Sequence, residues 1–145
     1  MKTLISGHRR FKLESYDIDW IKESIEETIL DIPISIGLSG MASGVDLWFC
    51  EICLRNNIPY FACIPFDEQQ NLVEDYEKEL RLNLIDKSSK ILKIRNSQMI
   101  EKSDFGIIIF DGNKGGTHNV FQQMIENEKP FIWLNPVSKK IWKCI

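Results

Sequence analysis

The sequence is short of what several common functions require. It holds only two histidines, His8 and His118, and four cysteines, Cys50, Cys53, Cys63 and Cys144. Two histidines among scattered carboxylates do not make a metal centre, so no metal and no cofactor is expected. Cys50 and Cys53 stand in a CxxC spacing, but no second pair accompanies them and they lie past the first turn of their helix. Zinc binding and thioredoxin chemistry both read poorly there, and buried thiols on a sheet-facing side read better. The cysteines form no disulfide framework, which fits a reducing compartment. Long apolar runs are missing too. The stretch after Met1 breaks at Gly7, too short for a secretory core or a membrane span. A cytoplasmic protein is expected, in a bacterial cytosol or in a host cytosol if the source is viral, with no membrane partner. A positive excess is also lacking, since the formal net charge is −3. Binding along a nucleic-acid backbone favours basic domains, so no nucleic-acid partner is expected.

What remains is ordinary globular material. Hydrophobic residues make up 43% of 145, with four Trp and eight Phe, enough for one core without staples. No linker, repeat or composition break divides the chain, so one domain over 1–145 is expected, with 136–145 as a tail. Lys139, Lys140 and Lys143 in that tail read as a solvated end.

Short apolar runs alternate with helical patterns. Strands are expected at Thr3 to Ser6, Ile32 to Leu38, Tyr60 to Ile64, Ile91 to Ile94, Phe105 to Phe110 and Phe131 to Leu134. Helices are expected from Ile18, Ile21, Ile25 and Ile29; from Val45, Trp48, Phe49 and Ile52; from Leu72, Tyr76, Leu80 and Leu84; over Asn96 to Ser103; and around Phe121, Met124 and Ile125. This alternation implies right-handed crossovers. It makes the chain an α/β protein with a mainly parallel sheet of about six strands and helices on both faces. Strand order is not readable.

Ligands of such sheets bind beyond the carboxyl ends of the strands, where the order reverses. The unusual residues cluster after strands: Gly7, His8 and Arg9; Gly37 to Asp46; Pro65 and Phe66; Asp111 to Thr117. Gly37, Gly40 and Gly44 stand between a strand and a helix, where backbone can turn sharply and approach a ligand. Their spacing is neither GxGxxG nor a P-loop. Asp46 reads as a tie for this loop. Gly115, Gly116 and Thr117 form a second glycine loop at a helix start, suited to an anion. Arg9 can grip phosphate through two N–H groups. His8 reads as a strand-end cap, Asn96 as a helix N-cap, and Arg95 as a second phosphate contact or an ion-pair member. Phe66 offers a flat face for a base or ribose, or covers the core.

Five motifs carry a resemblance. They are Gly7 to Tyr16 (GHRRFKLESY), Ser39 to Asp46 (SGMASGVD), Ile64 to Gln69 (IPFDEQ), Arg95 to Met99 (RNSQM) and Asp111 to Thr117 (DGNKGGT). In order and spacing, from about Leu4 to Pro136, they resemble the SLOG superfamily, the Rossmann-like group that includes the DNA-processing protein A fold and the LOG enzymes. The similarity is greatest to a bacterial and phage subgroup whose opening motif has proline where Arg10 stands. The resemblance implies a Rossmann-like ligand-binding domain and places Ser39, Gly40, Met41, Gly44, Asp46 and Asp111 with the residues above as its site. LOG enzymes carry a catalytic Glu three residues after the Thr of the GGT loop. Here that position is Val120, which cannot act as acid or base, and Glu126 lies almost two turns further on. No catalytic residue is therefore expected.

Three functions remain open. SLOG domains of antiviral systems sense nucleotides derived from NAD, so the resemblance implies a non-catalytic binder of ADP-ribose or cyclic-nucleotide type. It would act as a sensor or, if phage-encoded, as a sponge that blunts immune signalling. The second is a nucleotide N-glycosidase of LOG type. The third is a protein-partner module with a vestigial pocket. A homodimer or higher homo-oligomer is expected, because Trp142 and Ile145 lie beyond the last expected strand. The alternative is a tail folded back on its own subunit.

Overall fold

The computed structural model describes residues 1–144; Ile145, invoked above for self-association, lies outside the described residues. The strands are β1 (Lys2–Gly7), β2 (Ile36–Ser39), β3 (Tyr60–Cys63), β4 (Lys90–Leu92), β5 (Phe105–Ile109), β6 (Phe131–Asn135) and β7 (Lys140–Cys144). The helices are α1 (Arg10–Leu13), α2 (Ile18–Asp31), α3 (Val45–Arg55), α4 (Lys78–Lys87), α5 (Asn96–Lys102) and α6 (Gly116–Glu126). One sheet carries all seven strands in the order β4-β3-β2-β1-β5-β6-β7. Every pairing is parallel except β6 with β7. This is the Rossmann-like α/β architecture expected from the alternation. The chain builds outward from β1 to β4, crosses back to β5, and continues in the other direction. The order reverses between β1 and β5, which opens a crevice at their carboxyl ends.

Alternation along the strands supplies the two faces. Ile5, Ile107 and Ile109 point to one side, where Ile21, Ile25 and Ile29 of α2, Phe49 and Cys53 of α3 and Leu84 of α4 meet them. Leu4, Leu38 and Ile108 point to the other, against Met99 and Ile100 of α5 and Val120 and Met124 of α6. Each such large side chain taken from water contributes about 1.5–3 kcal/mol. β5 is buried at all five positions, as a strand covered on both faces must be. α2 starts where the Asp17 side chain accepts the Trp20 N–H at 3.0 Å, and its isoleucines then recur every fourth residue on the buried face.

Four expectations need correction. β2 begins at Ile36, not Ile32, because Pro33 has no N–H to offer a ladder. The helix expected from Leu72 onward is shorter: residues 67–72 and 75–77 are short 3₁₀ segments, and α4 begins at Lys78. Asn96 is the first residue of α5, not its cap; the Arg95 N–H there donates to Gln98 Oε1 at 3.0 Å. The supposed tail is an edge strand. Residues 140–144 return antiparallel onto β6, and the Trp142 ring lies 4.6 Å from that of Trp133. The sheet thus has seven strands, not six. Among the described residues no helix is long and apolar enough to cross a membrane.

Candidate ligand-binding cleft

The crevice at the strand reversal is a real cavity of about 460 Å³. Segments that follow β1, β2, β3 and β5 line it, together with the start of α5. Of the residues expected in the site, Gly7, His8, Arg9, Gly40, Asp46, Pro65, Phe66, Asn96, Gly116 and Thr117 are on its wall. They come from stretches up to about a hundred residues apart, and the parallel sheet is what assembles them.

Ser39, Met41 and Gly44 lie behind that wall and shape it. Ser39 Oγ donates to the Asp46 carbonyl at 3.0 Å and accepts the Met41 N–H at 3.2 Å. Met41 is fully buried and has φ 58°, a left-handed conformation that a non-glycine residue adopts only when its surroundings impose it. Gly44 has φ 85°, and a Cβ there would sit 2.6 Å from the Arg10 backbone nitrogen. Glycine is needed at position 44 for both reasons, so that this loop can pack against the start of α1.

A polar cluster that the sequence reading missed holds the loop. Gln69 Nε2 donates to the Gly40 carbonyl at 2.8 Å. Arg81, 3% exposed, donates from Nε to the Met41 carbonyl at 2.9 Å, and from its other nitrogens to Gln70 Oε1 at 2.7 Å and Gln69 Oε1 at 2.6 Å. Glu77, also buried, accepts the Ser43 hydroxyl and the Gly44 N–H. Glu77 and Arg81 are four residues apart, a spacing that resembles an exposed surface pair. Only their burial reveals the different role.

Asp46, in the first turn of α3, is 9% exposed, and one of its carboxyl oxygens accepts the Ala42 N–H at 3.1 Å. No cation pairs with it among the described residues, and burial pushes its pKa up to about 7. It ties the loop, as expected, and also faces the cleft.

The far wall rests on a second set of contacts. His8 is 6% exposed, with Nε2 at 3.1 Å from the Asp111 backbone nitrogen and 3.0 Å from Asp111 Oδ1. A backbone N–H is a fixed donor, so neutral His8 accepts it. Burial lowers the His8 pKa against the pull of Asp111 and favours that neutral form. Burial works to raise Asp111. The Asn113 N–H and the Tyr16 hydroxyl at 3.0 Å, together with the charge His8 carries when protonated, outweigh it and hold the carboxyl below its usual range. Asp111 is therefore a brace between β5 and the segment after β1, outside the cleft wall. Arg95 is exposed and Gly115 lies just off the wall.

Two cations line the wall. Arg9 is exposed at the wall, and its side chain makes no hydrogen bond or ion pair among the described residues. Lys12, which the sequence reading passed over, lines the same wall, and its Nζ is 3.6 Å from where a Cβ on Gly115 would be. Thr117, 5% exposed, is in the first turn of α6 and faces the cleft. Phe66 and Phe11 stand at the mouth, 45% and 53% exposed. Val120 is buried with Leu4 and Met124 on the sheet side of α6, and Glu126 is exposed at that helix's far end.

The fold and crevice define a doubly wound α/β domain with one cleft at its strand reversal. No protein-family model and no curated protein matches the chain.

Proposed function

We propose that the protein binds a phosphate-bearing nucleotide derivative, of ADP-ribose or cyclic-nucleotide type, in this cleft and releases it unchanged. One observation carries the reading: the strand-reversal crevice brings Arg9, Lys12 and the α6 N-terminus onto the wall of one cavity of about 460 Å³, with Lys12 beside Gly115. Cationic side chains and outward N–H groups at a helix start together favour an anion. The volume suits a nucleotide-sized ligand, and Phe66 offers a face for its base. The SLOG resemblance points the same way and adds the role, a cytosolic sensor of signalling nucleotides or, in a phage, a sponge for them. Val120 lies in the core and Glu126 outside the cleft, which supports binding without turnover. We further propose that the protein acts as a homodimer or higher homo-oligomer.

The test is incubation of purified protein with AMP, ADP-ribose and cyclic ADP-ribose isomers, followed by calorimetry and chromatography of the recovered ligand. Intact ligand and measurable affinity are expected. In Arg9→Ala affinity should fall tenfold or more, because a charged hydrogen bond contributes about 1.5–3 kcal/mol. Free base released by the wild type and lost in Arg9→Ala would establish the N-glycosidase instead. Neither binding nor turnover would favour a protein-partner role.

A further inference from the structure

The two ends of the cleft differ in chemistry. Lys12 and the α6 N-terminus lie together at the β5 side. The β2 side has Gly40, Asp46 and Asn96. Asp46 has no cationic partner among the described residues, and the residue is nine-tenths buried while lining the cleft. The Asn96 side chain, at the start of α5, makes no hydrogen bond among the described residues and is exposed at the same wall. A Cβ on Gly40 would lie 3.2 Å from Asp46 Oδ2 and 3.9 Å from Asn96 Oδ1. Glycine therefore keeps open the space between these two oxygens.

Building on the binding reading above, we propose that Gly40, Asp46 and Asn96 form a subsite that takes ribose hydroxyls of the ligand and rejects a second phosphate. A hydroxyl both donates and accepts, so it can satisfy a carboxyl or carboxylate and an amide together. A phosphate only accepts. Beside a buried carboxylate with no cationic partner it would add like charge. The Asp46 carboxyl titrates at about 7, so it can present a donor or an acceptor, and a hydroxyl suits either form. The Ala42 N–H fixes one of its oxygens, and Ser39 holds the backbone of the same residue. The carboxyl is thus positioned before the ligand arrives.

The experiment is calorimetry at pH 7 with inorganic phosphate, AMP, its 2′-deoxy and 3′-deoxy forms, and adenosine 3′,5′-bisphosphate. AMP should bind at least tenfold tighter than either deoxy form or the bisphosphate. In Asn96→Ala, an exposed change that leaves the core alone, the ratio between AMP and the deoxy forms should shrink toward one. Asp46→Leu should do the same and should also improve the relative affinity of the bisphosphate. Equal affinity of wild type for AMP and both deoxy forms overturns the subsite and leaves the phosphate reading intact. So does an Asn96→Ala protein that discriminates as the wild type does. No binding of any probe, inorganic phosphate included, overturns both.

Discussion

Asp46 shows how one side chain links stability to the cleft. Its pKa rises from 3.8 to about 7 because burial penalises the charge and only one N–H compensates. In the unfolded chain the carboxyl loses its proton near pH 4; in the folded chain it keeps it to about 7. Between those values the folded state binds more protons, so stability falls as pH rises and levels off above about 7. The full difference is about 4 kcal/mol. His8 works in the opposite sense, since its lowered pKa removes stability as pH falls below about 6.5. Asp46→Asn isolates the carboxyl: the amide oxygen can still accept the Ala42 N–H and carries no charge. The variant should be more stable than wild type at pH 8, with the gap narrowing toward pH 4 in urea titrations. A gap that does not change with pH would refute the buried, unpaired carboxyl. The two cleft glycines separate in a related way. A Cβ on Gly116 meets nothing within 4 Å, whereas one on Gly40 meets Asp46 at 3.2 Å. Gly116→Val and Gly40→Val should each abolish nucleotide binding, but only Gly40→Val should also lower the melting temperature. Normal binding by both would place the ligand elsewhere. Neither position has a positive φ, so obstruction of the cleft is the mechanism.

At the scale of elements, the loop from Ser39 to Gly44 is held by parts that come later in the chain. Gln69, Glu77 and Arg81 bring three side chains from the 3₁₀ turns and α4 to its backbone. Met41 keeps its left-handed conformation inside that frame. Arg81→Ala leaves the Met41 carbonyl and two glutamine carbonyls without their donor in a buried setting. A loss of roughly 3 kcal/mol is expected, a fall of about 10 °C in melting temperature. A fall of less than 2 °C would show that the loop stands without Arg81. These residues explain why the sequence disclosed the glycines of the loop and not its supports. Isoleucines at helical spacing in α2 and the unbroken apolar run of β5 are local signals, legible in a window of a few residues. Glu77 and Arg81 resemble a surface pair locally, and only tertiary burial makes them a clamp. Lys12 was hidden similarly, because nothing near it in sequence says that its stem reaches toward Gly115. The 3₁₀ turns before α4 misled for another reason: Leu72 and Tyr76 keep a helical spacing, yet both are exposed.

The whole molecule carries its last misread segment at the sheet edge. Lys139, Lys140 and Lys143 read as a solvated tail, yet Trp142 packs on Trp133 and the strand closes on β6. This removes the original ground for self-association, since the tail does join its own subunit. It supplies another. β7 ends the sheet, so its outer N–H and C=O groups face no strand, and Ile141 and Trp142 are 50% and 39% exposed. Such an edge is a template for a second copy unless charges guard it. In an antiparallel pairing of two β7 strands centred on Trp142, Lys140 falls opposite Cys144 and Lys143 opposite Ile141. No lysine meets a lysine, so the guard fails in that register. Light scattering at micromolar concentration should give twice the subunit mass of 16.9 kDa. Ile141→Lys should return the monomer, since it sets like charges directly across the pair. It should keep its own fold, because Ile141 is half exposed and its backbone still pairs with Leu134. A monomeric wild type would end the proposal, and a dimer untouched by Ile141→Lys would move the interface away from β7.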